Sequence, residues 1–436
     1  MRGILRTGTP LLAVMLTLAG SGCAADKSEP APSAAKIEPN PVVADAKAGT
    51  LASSRPPLPN MEWVRPGEAV KLAAPYATPS ANNGPNVVKP PEGAMPDVPK
   101  GYTVSVWTRD VQNPRYLALA PNGDIFVAES RAGRVKVFRD TDGDGKPDAS
   151  YIFAEGLNRP FGIDFHKDHV YIANTDALLR FPYKPGDTKA TGAPTTITEM
   201  PGGGHWTRGV AVDPKSGKIY VSVGSRSNVD VEPAPRATVL VMNPDGSDRK
   251  VFASGLRNAV SIVFNPESGK LWTVVNERDG LGDDVPPDYA TEIKSGGFYG
   301  WPYAYIGKNE DPRRKGERPD LVAKTIVPDV LLGPHTAALG IAFNPGTMLP
   351  GKGDAYVTLH GSWNRSARDG YKVMRIPFSN GRPSGDPALF LDGFVLESGQ
   401  VWGRPVGVTF MKDGSLLVSE DGNDTIYRVT YAKPDA

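Results

Sequence analysis

The feature that most constrains this chain is a pattern that recurs six times between about Gly101 and the C-terminus. Each copy is a short apolar segment, a turn rich in Gly, Pro, Asn or Asp, and a second segment rich in Val, Tyr or Phe. The pairs are Tyr116–Leu119 with Ile125–Ala128, Gly162–Phe165 with Val170–Ala173, Gly209–Val212 with Ile219–Ser222, Ser261–Phe264 with Leu271–Val274, Gly340–Phe343 with Ala355–Thr358, and Gly407–Phe410 with Leu416–Ser419. A third segment follows in five copies, at Arg134–Phe138, Ala177–Phe181, Thr238–Met242, Lys372–Ile376 and Thr425–Val429, and is irregular in the fourth. Short apolar runs bounded by tight turns read as antiparallel strands. A repeated unit that cannot bury both of its faces alone needs a neighbour on each side. The pattern predicts an all-β chain, a six-bladed β-propeller of four-stranded antiparallel blades. A β-sandwich does not explain six copies of one pattern. The 48 Gly and 43 Pro among 436 residues suit a fold made of turns and strands.

Ahead of the repeats lies a targeting segment. Arg2 and Arg6 precede the apolar run Leu11–Leu18, and Ala19, Gly20, Ser21 and Gly22 lead to Cys23, the single cysteine. The run is too short to span a bilayer and reads as a signal peptide. Small residues before Cys23 read as a lipobox, although Gly20 stands where Leu is usual; plain secretion with cleavage near Ala25 is the alternative. Residues 1–23 are therefore expected to be a leader with an acylated Cys23, giving an exported, periplasmic protein lipid-anchored to a bacterial membrane. Residues 24–95, rich in Ala, Pro and Ser, read as a disordered tether, within which Pro57–Pro75 is a candidate for packing on the domain. Residues 96–436 make the propeller. A lone cysteine rules out a disulfide framework and c-type haem attachment. A net charge of +1 gives no field for nucleic acid, and none is expected as a partner.

Residues at equivalent repeat positions lie at equivalent places around the axis. Just upstream of each first strand stands a basic or imidazole group: Arg115, Arg159, Arg208, Arg257, His335 and Arg404. Loops entering the innermost strand meet at one mouth of the central channel. Guanidiniums converging there call for an anion, and their planar forks suit carboxylates. Some of them are also expected to pair with Asp or Glu or to stack on aromatics. A polyanionic small molecule on the axis is the leading expectation. His205, in Gly202-Gly-Gly-His-Trp-Thr-Arg208, enters the same mouth and is a candidate general base; taken alone it reads as a turn-capping histidine. Asn276–Asp284 is acidic and Gly-rich, suited to a hard cation held by oxygens. Asp140, Asp142, Asp144 and Asp148 alternate as in a calcium loop but lack its distant bidentate Glu, which leaves a structural Ca²⁺ and a solvated turn both open.

Taken together, Gly-Gly-His205-Trp-Thr-Arg, Gly-Leu-Arg257-Asn258, Asn276-Glu-Arg-Asp-Gly-Leu-Gly-Asp-Asp284, Gly-Phe-Tyr-Gly-Trp-Pro302, His360-Gly-Ser-Trp-Asn-Arg365 and Trp402-Gly-Arg404-Pro resemble the sorbosone dehydrogenase family, related to the soluble quinoprotein glucose dehydrogenases that use pyrroloquinoline quinone (PQQ). The resemblance runs from about Gly101 to Tyr431. It implies His205 as general base and Arg257 as the group that stabilises the reduced quinone oxygen. It implies Arg257, Asn258, Arg404, His360 and Arg365 around PQQ; repeat geometry adds Arg159 and Arg208. It implies a Ca²⁺ beside PQQ held largely by backbone carbonyls, here at Arg278 and Asp279, with Glu277 as a third candidate. The implied reaction oxidises a sugar or sugar aldehyde, aldose or L-sorbosone-like, by hydride transfer to PQQ, and passes electrons to an external quinone or cytochrome. Glucose dehydrogenases carry Asp where this chain has Gly204 and Ser225, which leaves open what orients His205. Two other classes compete. A calcium-dependent lactonase-type hydrolase needs carboxylates at the axis, and a non-catalytic binding propeller has no use for a base.

Overall fold

Consecutive strands pair antiparallel into six four-stranded blades arranged as a β-propeller, seen in a computed structural model that describes residues 60–432 and the two-residue strand Ala35–Lys36. The leader and Cys23 lie outside the described residues. The innermost strands are Pro114–Leu119, Ile163–His166, Val210–Val212, Ala259–Phe264, Ala338–Phe343 and Pro405–Phe410. The second strands are Ile125–Glu129, His169–Ala173, Ile219–Val223, Leu271–Val275, Ala355–Leu359 and Leu416–Glu420. These agree with the repeats. The third strand of blade four, irregular in sequence, is Pro287–Glu292. Ala35–Lys36 adds a short fifth strand to blade one.

Blade six is closed by the other end of the chain. Its outermost strand is Tyr102–Thr108, which pairs with Thr425–Tyr431 from Tyr102↔Tyr431 to Thr108↔Ile426. Blades pack through aromatic edges: Tyr356 of blade five lies edge-on to Phe410 of blade six at 5.5 Å, and Phe126 of blade one to Phe165 of blade two at 4.9 Å. Such pairs add to the burial of the rings themselves.

The glycine that opens several inner strands has a packing reason. A Cβ on Gly209 would stand 2.4 Å from the Val260 carbonyl, on Gly340 2.6 Å from that of Val406, and on Gly407 2.2 Å from that of Arg115. Only a bare Cα lets the next blade approach this closely. A second-strand hydroxyl completes each junction: Thr358 Oγ1 accepts from Gly340 N at 2.8 Å and donates to Val406 O at 2.6 Å, and Ser419 Oγ accepts from Gly407 N at 2.9 Å and donates to Arg115 O at 2.9 Å.

These close inner strands bring one apolar side chain from each blade onto the axis. Tyr116, Phe161, Trp206, Val260, Leu339 and Val406 meet in one cluster. Below it the channel widens into a cavity of ≈ 1220 Å³ lined by Leu119, His166, Val212, Phe264, Phe343 and Met411 among others. Above it lie the loops that enter the inner strands.

The expected free tether is corrected from Asn60 onward. Glu62 N and Leu331 N exchange hydrogen bonds with Leu331 O and Glu62 O, which places Trp63 beside the outer strand of blade four. The chain then crosses the loop face: Tyr76 N donates to Leu281 O, Asn83 N to Trp363 O and Val88 N to Val401 O. Composition concealed this docking because the strap's apolar contacts, Trp63, Val64 and Leu72 among them, follow no period along the sequence.

Candidate active site

Three long second-to-third-strand connections, residues 224–237, 276–286 and 360–371, rise on the same face as the inner-strand entry loops. His205 stands between the first two. Its backbone N donates to Ser225 O at 3.0 Å, and its Nδ1 lies 2.9 Å from that same carbonyl and 3.1 Å from Ser225 Oγ. A carbonyl accepts only, so Nδ1 carries the proton and Nε2 keeps its lone pair. Burial, followed by the Arg257 charge, pushes the His205 pKa down to about 4. The imidazole is a neutral base at neutral pH. Ser225 therefore orients His205.

The backbone leaves no room for a side chain at Gly204 or Gly224. Gly204 has φ +64°, and a Cβ there would stand 2.3 Å from Arg226 Cα. A Cβ on Gly224 would stand 2.7 Å from His205 Cβ and 2.6 Å from Asn258 Oδ1. Two arginines hold this loop. Arg208, fully buried, donates to His205 O at 2.7 Å, Thr207 O at 2.8 Å and Pro201 O at 2.7 Å. It was expected to face a ligand; instead its guanidinium amines bind the loop's own carbonyls, because the entry loop folds over it. Arg236, which sequence reasoning missed, donates to Gly203 O at 3.0 Å and also to Gly202 O.

Arg257 is buried at the root of the 276–286 loop. It donates to Glu277 O at 2.7 Å, Asn228 O at 3.2 Å and Asn228 Oδ1 at 3.0 Å, and lies 3.3 Å from Asp279 Oδ2. Asn258 is joined to Asn276 through Nδ2 at 3.2 Å, while its Oδ1 is buried without a partner. His335 donates through Nε2 to Gly282 O at 2.8 Å and sets Nδ1 3.5 Å from Asp279 Oδ1. Burial opposes charge on His335, but Asp279 and the Gly282 carbonyl outweigh it and raise its pKa. His335 and Arg257 hold Asp279 below the usual carboxylate range against its burial.

On the opposite side of the mouth, His360 links two charges. Its Nε2 lies 2.8 Å from Asp421 Oδ1 and its Nδ1 3.0 Å from Arg404 Nη2. Burial, then Arg404, pushes its pKa down to about 4. It is a neutral relay, not the cationic cofactor ligand that the resemblance suggested, because both ring nitrogens are engaged by protein. Asp421 also pairs with Arg115, and His360 and Arg115 help hold it well below the usual range against its burial. Asp421 follows the second strand of blade six, just as Asn276 and His360 follow theirs; that equivalence was the signal available for finding it. Arg115 and Arg159 stack over Trp206 at 5.3 Å and 5.5 Å. Arg365 turns away from the mouth, donating to Asp283 O at 2.7 Å.

Arg115, Arg159, Arg257 and Arg404 thus surround a mouth floored by the axial apolar cluster. Arg115 Nε and Arg404 Nε are buried donors without a partner. Unpaired buried polar atoms are rare unless a ligand or water completes them. This donor set fits a flat polycarboxylate such as PQQ.

Two of the carbonyls expected to hold Ca²⁺ are already engaged. Glu277 O already accepts from Arg257, and Asp279 O accepts from Asn228 Nδ2 at 2.9 Å and Arg313 Nη1 at 2.9 Å. The Arg278 side chain is fully buried and turned inward, donating to Pro302 O at 2.8 Å and Glu277 Oε2 at 3.0 Å, while Glu277 Oε1 is buried without a partner. Elsewhere, Asp140, Asp142 and Asp148 bring ligand oxygens within 4.8 Å of one another, while Asp144 stays outside the group. They lie between the third and fourth strands of blade one, on the far face from His205.

A model of the TrAA12-like family matches residues 96–295 and 321–432. A Borreliella burgdorferi protein described only as uncharacterized is 30% identical over 358 residues, 77% of this chain and 91% of that protein. The PQQ-dependent pyranose dehydrogenase of Coprinopsis cinerea is 25% identical over 401 residues, covering 76% of this chain and 54% of the relative, so the chain spans about half of that protein's length. The holo PQQ domain of the Coprinopsis cinerea pyranose dehydrogenase superposes with a TM-score of 0.69 at 24% identity, covering 79% of this chain and 99% of that domain. The matched segments take in every blade and the residues of the mouth, and the chain belongs to the TrAA12-like family.

Proposed function

We propose that the protein is a quinoprotein sugar dehydrogenase that binds PQQ at the arginine mouth. The substrate is a sugar or sugar aldehyde, aldose or sorbosone-like, and the electrons leave to an external quinone or cytochrome. The observation that carries this reading is His205: a neutral imidazole with its proton fixed on Nδ1 by Ser225 and its Nε2 lone pair without a protein partner, beside Arg257. When bound, PQQ supplies a two-electron acceptor for hydride. The rest is the work of the chain. His205 Nε2 takes the proton of the substrate hydroxyl as the C–H bond breaks, and the Ser225 carbonyl stabilises the imidazolium that forms. Arg257, pinned by Asn228, presents fixed positive charge where negative charge develops, which costs no reorganisation during reaction. Arg404, Arg115 and Arg159 receive carboxylates, each charge-assisted bond contributing about 1.5–3 kcal/mol before ordering costs. Trp206 and the axial cluster give a planar ligand an apolar floor.

Export and a lipid anchor at Cys23 would place the mouth in the periplasm. The test is optical. The purified chain is titrated with PQQ and then with a panel of aldoses and sugar aldehydes. A quinone spectrum that bleaches with one of them is expected. Binding without bleaching by any sugar would make this a binding module, and no binding would remove the assignment.

A further inference from the structure

We infer that this chain holds its quinone without a divalent cation, with its own cationic side chains standing where a metal would join loop and cofactor. The inference rests on the PQQ reading above. Between Asn276 and Asp284, the carbonyls of Asn276 and Glu277 accept from Arg257, that of Asp279 from Asn228 and Arg313, that of Leu281 from Tyr76, that of Gly282 from His335 and that of Asp283 from Arg365. Ca²⁺ takes six to eight oxygen ligands at about 2.3–2.6 Å. Asp279 O, one of the two carbonyls first expected to hold such an ion, is thus spent on two N–H donors, one of them charged.

The charges agree with the hydrogen bonds. The Asp279 carboxylate, which a metal would compete for, is held by Arg257 at 3.3 Å and His335 at 3.5 Å. The Glu277 carboxylate is turned inward to the fully buried Arg278. A divalent ion at this loop would lie among Arg257, Arg313 and His335 and would displace the pairs that Asp279 makes.

Arg313 reaches this loop from outside it. It lies within 296–320, the stretch between the two segments matched to the family. This excursion from blade four carries the hairpin Ala304–Tyr305 with Asn309–Glu310 and is locked to the site by Trp301 Nε1 donating to Asn228 O at 2.9 Å and Arg314 Nε to Val229 O at 2.9 Å. Asp311 fixes Arg313 through Nε at 2.8 Å and Nη2 at 2.7 Å. The excursion therefore delivers a preset guanidinium to the carbonyl that would otherwise bind the ion.

The full chain, stripped with EGTA and checked for metal by mass spectrometry, is titrated with PQQ by calorimetry in excess EGTA and in excess Ca²⁺. The expected result is a dissociation constant that agrees between the two within about twofold. Binding that weakens by about tenfold or more in EGTA and returns with Ca²⁺ overturns the inference while leaving the PQQ reading intact. No binding in either buffer removes both.

Discussion

The Ser225 carbonyl takes two hydrogen bonds from one residue, His205: the backbone N–H at 3.0 Å and Nδ1 at 2.9 Å. The imidazole is thereby fixed in position and in tautomer by a group that cannot itself titrate. No carboxylate is needed to orient the base, and the pH behaviour of the site follows from that.

Replacing His205 by Gln should leave PQQ affinity within a fewfold of the parent and cut turnover about 10²- to 10⁴-fold, the usual contribution of a general base. Stopped-flow bleaching of the bound quinone separates the two effects. Near-normal bleaching in the variant would remove His205 from the mechanism. In the parent, the acid limb of the rate profile should fall near pH 4, where His205 protonates, and not near the ordinary histidine value of 6.5. A limb near 6.5 would mean that burial does not control this imidazole.

His360 should affect stability in a pH-dependent way. Its folded pKa is depressed to about 4 from 6.5, so between those values the unfolded chain binds the extra proton. Stability from the neutral relay is complete above about pH 6.5 and is lost as pH falls through 4. The melting-temperature gap between the parent and His360→Gln should narrow from pH 7 to pH 4. A gap that is constant or widens contradicts the neutral assignment.

Gly224→Ala places a methyl where His205 Cβ and Asn258 Oδ1 already stand, at 2.7 Å and 2.6 Å. A misplaced base loses more rate than the fold loses stability, and about 10²-fold in turnover is expected from a shift of order 1 Å. Circular dichroism should show a folded protein. Unchanged kinetics would mean that the loop relaxes freely.

The strap reaches the Asn276–Asp284 loop through Thr78 Oγ1, which accepts from Asp283 N at 2.8 Å, and Ser80 Oγ, which accepts from Gly282 N at 3.1 Å. The Thr78→Ala, Ser80→Ala double variant strands two amide donors. A loss of about 1–3 kcal/mol is expected from thermal or denaturant melts, with weaker PQQ binding as the loop loosens. A wild-type melting temperature and affinity would show that the strap only lies over the loop.

Much of the scaffold was legible in the chain because it is periodic. Gly340 and Gly407 recur where the next blade presses in, and the strand pairs recur with them. Arg257 stood out at its repeat position, and His205 in the Gly-rich approach to the same mouth. The remainder was hidden by its aperiodicity. Tyr102–Thr108 precedes the first repeat and finds its partner at the far end of the sequence. Asp421, Asn228 and Arg313 come to the mouth through loops whose length and direction no repeat dictates. Arg208 and Arg365 carry the same side chain as Arg404 but are turned onto carbonyls by loop geometry that composition does not record.

The apolar cluster of Tyr116, Phe161, Trp206, Val260, Leu339 and Val406 has a kinetic meaning. It makes the axis a cul-de-sac. Whatever brings electrons in and whatever carries them away must use one doorway, and the second visitor must wait for the first to leave. On the proposed reaction, sugar and acceptor should compete for the same entrance. Parallel lines in a double-reciprocal plot, with each reactant inhibiting at high concentration by blocking the other, are the expected steady-state signature.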